Sequence, residues 1–302
     1  MAKTILVAGS LHYDVVVDAP RMPHLDETLP GKSVRYVIGG KGRNQAVAAA
    51  RNGATTFMAG RIGDDTIGKT IKTDLIAQGV DASLMQFGEG QASGMSVAIV
   101  TPAGDYGAVV VSGSNLDFDP AMVELPDDTG FLLLQNEVTD EANIGMARKA
   151  HEAGVTVIFN AAPARQMAPE LVGLVDILIV NRGEGEVLSG QRIEDVKDGM
   201  NAIGFLCGQI PKAIITLGGE GVVHMRAGGR AEHQAPFRAD VVSAHGAGDF
   251  FIGALANRLA SGSEFEAAIH YAQAAAAIYV STEIDKRSGI RPVHIRARLG
   301  ED

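Results

Sequence analysis

Gly246-Ala247-Gly248-Asp249 brings together two groups that phosphate chemistry uses. Glycines let backbone approach a ligand closely, and amides at a helix start attract anions. The run follows an extended stretch, Ala239-Asp240-Val241-Val242, and opens an apolar helical segment from Phe250 to Ala260. An Asp in the first turn of that helix is placed to accept a proton from a nearby hydroxyl. Phosphate-binding amides beside a carboxylate suggest phosphoryl transfer to an alcohol.

Other clusters have both a functional and a plain structural reading. Gly39-Gly40-Lys41-Gly42-Arg43-Asn44-Gln45 precedes an alanine-rich helix. It reads as a glycine turn with Asn44 capping the helix, or as a ligand loop in which Lys41 and Asn44 supply donors suited to sugar hydroxyls. Gly63-Asp64-Asp65-Thr66-Ile67-Gly68-Lys69-Thr70 fits the G-x-x-x-x-G-K-T phosphate-loop pattern. Two carboxylates inside the cradle would repel a polyphosphate, so the better reading is an Asp pair capping a helix. Asn181-Arg182-Gly183-Glu184 follows an apolar run. It is either a capping box or a site past a strand end where Glu184 acts on hydrated magnesium. Thr216-Leu217-Gly218-Gly219-Glu220-Gly221 is either a tight strand-to-strand turn or a place where backbone meets a nucleotide. Asp14 and Glu137 are expected at strand exits, where ligand groups accumulate; singly, each reads as a surface carboxylate.

Strands are expected at Thr4–Ala8, Thr56–Ala59, Phe131–Gln135, Val155–Phe159, Ile177–Val180 and Ala213–Leu217. Most are apolar throughout, as strands covered on both faces are. Helices are expected at Asn44–Asn52, Ile67–Gln78, Glu141–Ala153, Val196–Cys207, Ala247–Leu259 and Glu264–Ser281. This alternation gives a doubly wound, mostly parallel α/β sheet with helices on both faces. Leu11–Asp18 with Gly31–Ile38, and Ser96–Val100 with Tyr106–Ser112, form extended pairs suited to a small β-sheet lid. Thr101-Pro-Ala-Gly-Asp105 is the expected hairpin turn of the second pair.

Composition narrows the function. The 302 residues carry 26 Lys+Arg against 36 Asp+Glu, a net charge of −10, which argues against a nucleic-acid surface. Cys207 is the single cysteine, so no intrachain disulfide forms and a reducing, cytoplasmic setting is expected. The N-terminus has no signal-peptide layout, and no apolar run approaches the roughly 20 residues of a membrane helix. The eight histidines have no paired metal spacing, and no G-x-S-x-G elbow is present.

Taken in order, these motifs resemble the ribokinase family of carbohydrate kinases, also called the PfkB family. The resemblance covers nearly the whole chain. The glycine motifs near residues 40 and 248 carry it most, with Asn160-Ala-Ala-Pro-Ala-Arg165. It implies a ribokinase-like α/β domain over 1–302, with a lid from about 11–38 and 95–113. It implies ATP and Mg²⁺, a sugar such as ribose, and a homodimer through the lids. Asp14, Gly40, Lys41, Asn44 and Glu137 match sugar-contacting positions. Asn181 and Glu184 match the motif that organises magnesium and phosphate, Glu184 through water. Thr216, Gly218 and Gly221 match the nucleotide loop, and Gln273 a position flanking the adenine. Gly246, Ala247 and Gly248 match the anion hole, and Asp249 the general base, which also faces the sugar.

Two departures stand out. The Asp that serves ribokinases as a potassium ligand is Ser243 here, and the C-terminal segment Thr282–Gly289 is altered and longer. Both count against activation by K⁺; a side-chain cation, Lys286 or Arg287, could stand in that space. The Asn usual in the first motif is His12, which counts against strict ribose specificity. A nucleoside kinase on the same fold, and a non-catalytic sugar or nucleotide sensor, are the alternative readings.

Overall fold

The computed structural model describes residues 2–103 and 106–301. The thirteen strands among them are β1 (Thr4–Ala8), β2 (His12–Asp18), β3 (Ser33–Gly39), β4 (Thr56–Gly63), β5 (Met85–Gly88), β6 (Met95–Val100), β7 (Tyr106–Val111), β8 (Thr129–Gln135), β9 (Thr156–Asn160), β10 (Ile177–Asn181), β11 (Lys212–Thr216), β12 (Val222–Arg226) and β13 (Glu232–Gln234). The helices are α1 (Lys41–Arg51), α2 (Thr66–Ala77), α3 (Asp140–Glu152), α4 (Pro169–Val172), α5 (Arg182–Ser189), α6 (Val196–Cys207), α7 (Ala247–Ala260), α8 (Phe265–Ser281) and α9 (Pro292–Leu299).

Every residue of β1 is buried, and successive side chains point to opposite faces. Ile5 and Val7 enter one apolar layer with α1, α2, α7 and α8. Leu6 and Ala8 enter a second layer with α3, α4 and α6. β8 to β11 alternate in the same way, Leu133, Ile158, Ile179 and Ile214 on one side and Leu132, Phe159, Leu178 and Ile215 on the other. Helices on both faces explain why these strands are apolar throughout.

The main sheet runs β13-β12-β11-β10-β9-β8-β1-β4-β5. It is parallel from β5 to β11 and closes with antiparallel β12 and β13. The chain leaves β1 toward β4 on one side and later returns toward β8 on the other. That reversal opens a crevice at the carboxyl ends of β1 and β8, where open α/β sheets take ligands. The smaller sheet runs β3-β2-β6-β7 and is the expected lid. Its expected turn at Thr101–Asp105 includes Gly104 and Asp105, which lie outside the described residues. No described helix is long and apolar enough to cross a membrane.

The structure corrects several boundaries. β4 extends to Gly63, four residues past the apolar run that marked it. Ala239–Val242 is not a strand: Val241 and Val242 are exposed, and the Val242 N–H donates to Val280 O rather than into a ladder. Asp65 does cap α2, accepting from Gly68 N at 2.7 Å, whereas Asp64 stays on the surface near Lys69.

Candidate active site

α1 begins three residues before Asn44. Gly40 takes the cap position with φ 91°, a left-handed value that a glycine adopts without strain. A Cβ on Gly40 would lie 2.7 Å from Ser10 O, and one on Gly42 2.7 Å from Ser10 N. The glycines thus let the start of α1 press against the loop leaving β1. Asn44 therefore does not cap the helix. Its Nδ2 donates to Asp249 Oδ2 at 3.2 Å instead. Gln45, fully buried, donates from Nε2 to Asp249 Oδ1 and to Asn160 Oδ1, both at 3.1 Å. Gln135 Nε2 in turn donates to Gln45 Oε1 at 2.9 Å. Gln45, Asn160 and Gln135 were not among the expected site residues. Gln45 sits one position beyond Asn44 in the glycine motif, which was the available signal.

Asp249 is buried in the first turn of α7. Burial pushes its carboxyl above the ordinary range. Lys41, Gln45 and Asn44 act against that, and Glu137 adds to it. Gly246 caps α7 with φ 78°, and a Cβ there would lie 2.9 Å from Tyr279 Oη. The Ala247 N–H is already donated to Ala244 O at 3.1 Å, so it is not free for an anion. Among the described residues no acceptor lies against the N–H groups of Gly248 and Asp249. A Cβ on Gly248 would meet nothing within 4 Å, leaving open space over that turn.

Two cavities meet here. A polar one of about 170 Å³ is lined by Lys41, Asn160, Asn181, Glu184, Thr216, Gly246, Gly248 and Asp249. A larger one of about 600 Å³ is lined by Thr216, Gly218, Gly221, Ala247, Gly248 and Gln273, with apolar walls from Phe237, Phe251, Ala276 and Val280. Thr216 and Gly248 border both, so the start of α7 stands at the junction.

Asn181 and Glu184 form the capping box of the structural reading and also line the polar cavity. Asn181 Oδ1 accepts from Glu184 N, and Glu184 Oε2 accepts from Asn181 N, which is a capping box on α5. The same pair lines the polar cavity. Burial raises the Glu184 carboxyl; the Asn181 hydrogen bond and Lys41 lower it, and Asp249 raises it. Thr216–Gly221 likewise is the tight turn between β11 and β12 and a cavity wall at once. Glu137 follows β8 as expected, and its Oε2 accepts from Lys41 N at 2.8 Å and from Ser10 Oγ. Asp14 is not at a strand exit. It lies inside β2, where Oδ1 accepts from Ser96 Oγ at 2.5 Å, and it lines neither cavity.

Residues 2–287 match the model of the pfkB family of carbohydrate kinases. The chain is 34% identical to a ribokinase of Haemophilus influenzae over 286 residues, covering 93% of each chain. It is 35% identical to a ribokinase of Bacillus subtilis over 282 residues, covering 92% of this chain and 93% of the relative. The fold superposes on that of Arabidopsis thaliana ribokinase, solved with ribose and ATP, with a TM-score of 0.91 at 28% identity and complete coverage of both chains. The chain belongs to the pfkB carbohydrate kinase family. Its fold is ribokinase-like, a mostly parallel sheet with a small β-sheet lid.

Proposed function

We propose that this kinase transfers the γ-phosphoryl group of ATP to a hydroxyl of ribose or a related monosaccharide. One observation carries the reading: a buried carboxylate, Asp249, held by Asn44 and Gln45 where an open-ended helix start separates a polar cavity from a larger apolar-walled one. The ribose and ATP of the Arabidopsis relative support the choice of substrates.

In this reading Asp249 takes the proton as the sugar hydroxyl attacks phosphorus. Its environment suits a base, because burial raises its proton affinity while two amides and Lys41 keep the ionised form accessible. The turn Gly246-Ala247-Gly248 steadies charge on the transferring group, with the unengaged amides of Gly248 and Asp249 as its donors. Lys41 lines the polar cavity, and Asn44 and Glu137 contact Asp249 and Lys41, so these three hold the sugar; Gly40 and Asp14 join them on the resemblance alone. Thr216, Gly218, Gly221 and Gln273 border the nucleotide. Glu184 offers one carboxylate with Oε2 already accepting from Asn181, a donor set that fits a hydrated Mg²⁺ completed by phosphate oxygens. Bound there with Asn181 nearby, the ion would neutralise phosphate charge. The sheet of β2, β3, β6 and β7 acts as a lid that excludes competing water.

The lid also supports a homodimer. Tyr36, Val15, Val97 and Val109 stand in one cross-strand row, and Tyr36, Val97 and Val109 are exposed. A second lid would cover this apolar row. A cytoplasmic site, where ATP is supplied, completes the reading.

The test is an ADP-release screen of purified protein over sugars and nucleosides. Turnover with ribose or a related sugar is expected. Turnover confined to nucleosides, or sugar binding without ADP release, overturns the assignment.

A further inference from the structure

Arg287 lies in the 3₁₀ turn Ile284–Gly289 and is 5% exposed. Its guanidinium donates to three backbone carbonyls: Nε to Thr282 O at 3.1 Å, Nη1 to His245 O at 2.9 Å and Nη2 to Ser243 O at 2.6 Å. Its Cζ stands 4.3 Å from the centre of the Tyr279 ring. Tyr279 stacks on Phe250 with ring centres 4.6 Å apart, and its hydroxyl lies against Gly246. Among the described residues no carboxylate pairs with Arg287; Glu283, close in sequence, pairs with Lys286.

An arginine keeps its charge at any ordinary pH, and a buried charge needs compensation. Here the compensation is peptide dipoles and an aromatic face. A cation beside a helix N-terminus also opposes the helix dipole, so the placement does not serve the resting helix. It suits a site that receives an anion.

The same residues answer whether a potassium ion fits. The resemblance places a potassium ligand where Ser243 stands. Ser243 brings a neutral hydroxyl, which accepts from His245 N at 3.4 Å. The carbonyls of Ser243, His245 and Thr282 already accept from Arg287. A monovalent cation would have to share that oxygen set with a guanidinium, against like-charge repulsion. The donor set does not fit K⁺.

We infer that Arg287 is a positioning residue, a built-in cation that ties the Ser243–Gly246 loop to the C-terminal segment and makes the enzyme indifferent to monovalent cations. Ser243 and His245 stand three residues and one residue before Gly246, so their carbonyls set where α7 begins. The Arg287–Tyr279–Phe250 stack holds the same turn from inside. The inference rests on the reading of that turn as the phosphate site, but the cation question can be answered without turnover.

The test compares chloride salts of K⁺, Na⁺ and tetramethylammonium at constant ionic strength, in wild type and in Arg287→Ala. Thermal unfolding is read first, because a chain that binds K⁺ here is stabilised by it whatever its activity. Wild type should unfold at the same temperature in all three salts, with kcat equal within about twofold. Arg287→Ala should lose about 10²-fold in kcat as the turn shifts, with nucleotide KM less affected. Millimolar guanidinium should restore part of that loss, as should K⁺ entering the vacated carbonyl set. A K⁺-selective rise in the wild-type unfolding temperature or kcat overturns the inference, as does a kcat unchanged in Arg287→Ala. Should Arg287→Ala not fold, the wild-type salt series decides alone. Wild-type protein without turnover on any sugar or nucleoside overturns the proposed function, while the unfolding series still decides on the cation.

Discussion

Gln45 and Asp249 are 204 residues apart and meet where α1 crosses α7, the Gln45 amide nitrogen 3.1 Å from Asp249 Oδ1. The amide is not free to turn. Its oxygen accepts from Gln135 and its nitrogen also serves Asn160. Gln45→Leu should therefore lower kcat by about tenfold and leave Gln135 and Asn160 short of partners, at roughly 1–3 kcal/mol in stability. Gln45→Glu keeps the shape but sets a second carboxylate against Asp249. It should move the acid limb of the rate profile to higher pH, since like charges disfavour ionisation. An acid limb in Gln45→Glu at the wild-type pH would remove Gln45 from this role.

Asp249 itself sets the pH response. A base must be ionised, so kcat/KM should fall as pH is lowered through a value above the ordinary carboxylate range. Asp249→Asn should lose at least about 10²-fold in turnover and show no such limb, with substrate KM values little changed. Stability runs the other way. The folded state holds the Asp249 proton more tightly than the unfolded chain. Its stabilising contribution is complete below the ordinary carboxylate value and is lost as pH rises through the raised one. Glu184, also raised by burial, acts in the same sense. Unfolding followed across that window should have a shallower pH slope in Asp249→Asn.

What was legible in the sequence was local. The α7 motif places its glycines and Asp249 within four consecutive residues, so its chemistry could be read without a fold. Strand alternation in composition gave the sheet, because burial on both faces leaves apolar runs. The capping reading of Asn44 fails because helix propensity cannot see a partner 205 residues away. The strand-exit expectation for Asp14 fails because the turn between β1 and β2 is short, from Gly9 to Leu11, and β2 then belongs to the other sheet. Ala239–Val242 has strand composition, but no neighbouring strand offers it a ladder. The choice of Arg287 over Lys286 turned on side-chain direction, which two adjacent cations do not reveal.

Gly253 lets α1 and α7 touch. A Cβ there would lie 2.5 Å from both Ala48 Cβ and Ala49 N, and 2.7 Å from the Ala48 carbonyl carbon. Two of these are backbone atoms, so the helices must separate. Gly253→Ala would gain about 1 kcal/mol of helix propensity in isolation. Overpacking should outweigh it, for a net loss of about 1–2 kcal/mol in denaturant unfolding. Because α1 carries Lys41, Asn44 and Gln45, kcat should fall as well. A stabilised variant with normal kcat would show that the contact does not set the site.

Gly221 shapes the larger cavity without touching Asp249. It turns at φ 91°, and a Cβ there would lie 2.2 Å from Gln234 O and 3.0 Å from Pro236 N. Both are backbone atoms, one at the end of β13 and one just after it, and Pro236 lines the cavity. Gln234 Oε1 also accepts from Gln273 Nε2 at 3.2 Å, so a shifted Gln234 carries a second wall residue with it. Gly221→Ala must therefore move one side of the cavity, beyond the roughly 1–3 kcal/mol strain of an alanine in this glycine-favoured backbone region. The polar cavity keeps Lys41, Glu184 and Asp249 on other elements and is not disturbed. Steady-state kinetics should show nucleotide KM rising about tenfold, the effect of about 1.4 kcal/mol lost from binding, with sugar KM unchanged and kcat largely recovered at saturating nucleotide. Equal rises in both KM values would mean that the two cavities do not divide the substrates in this way.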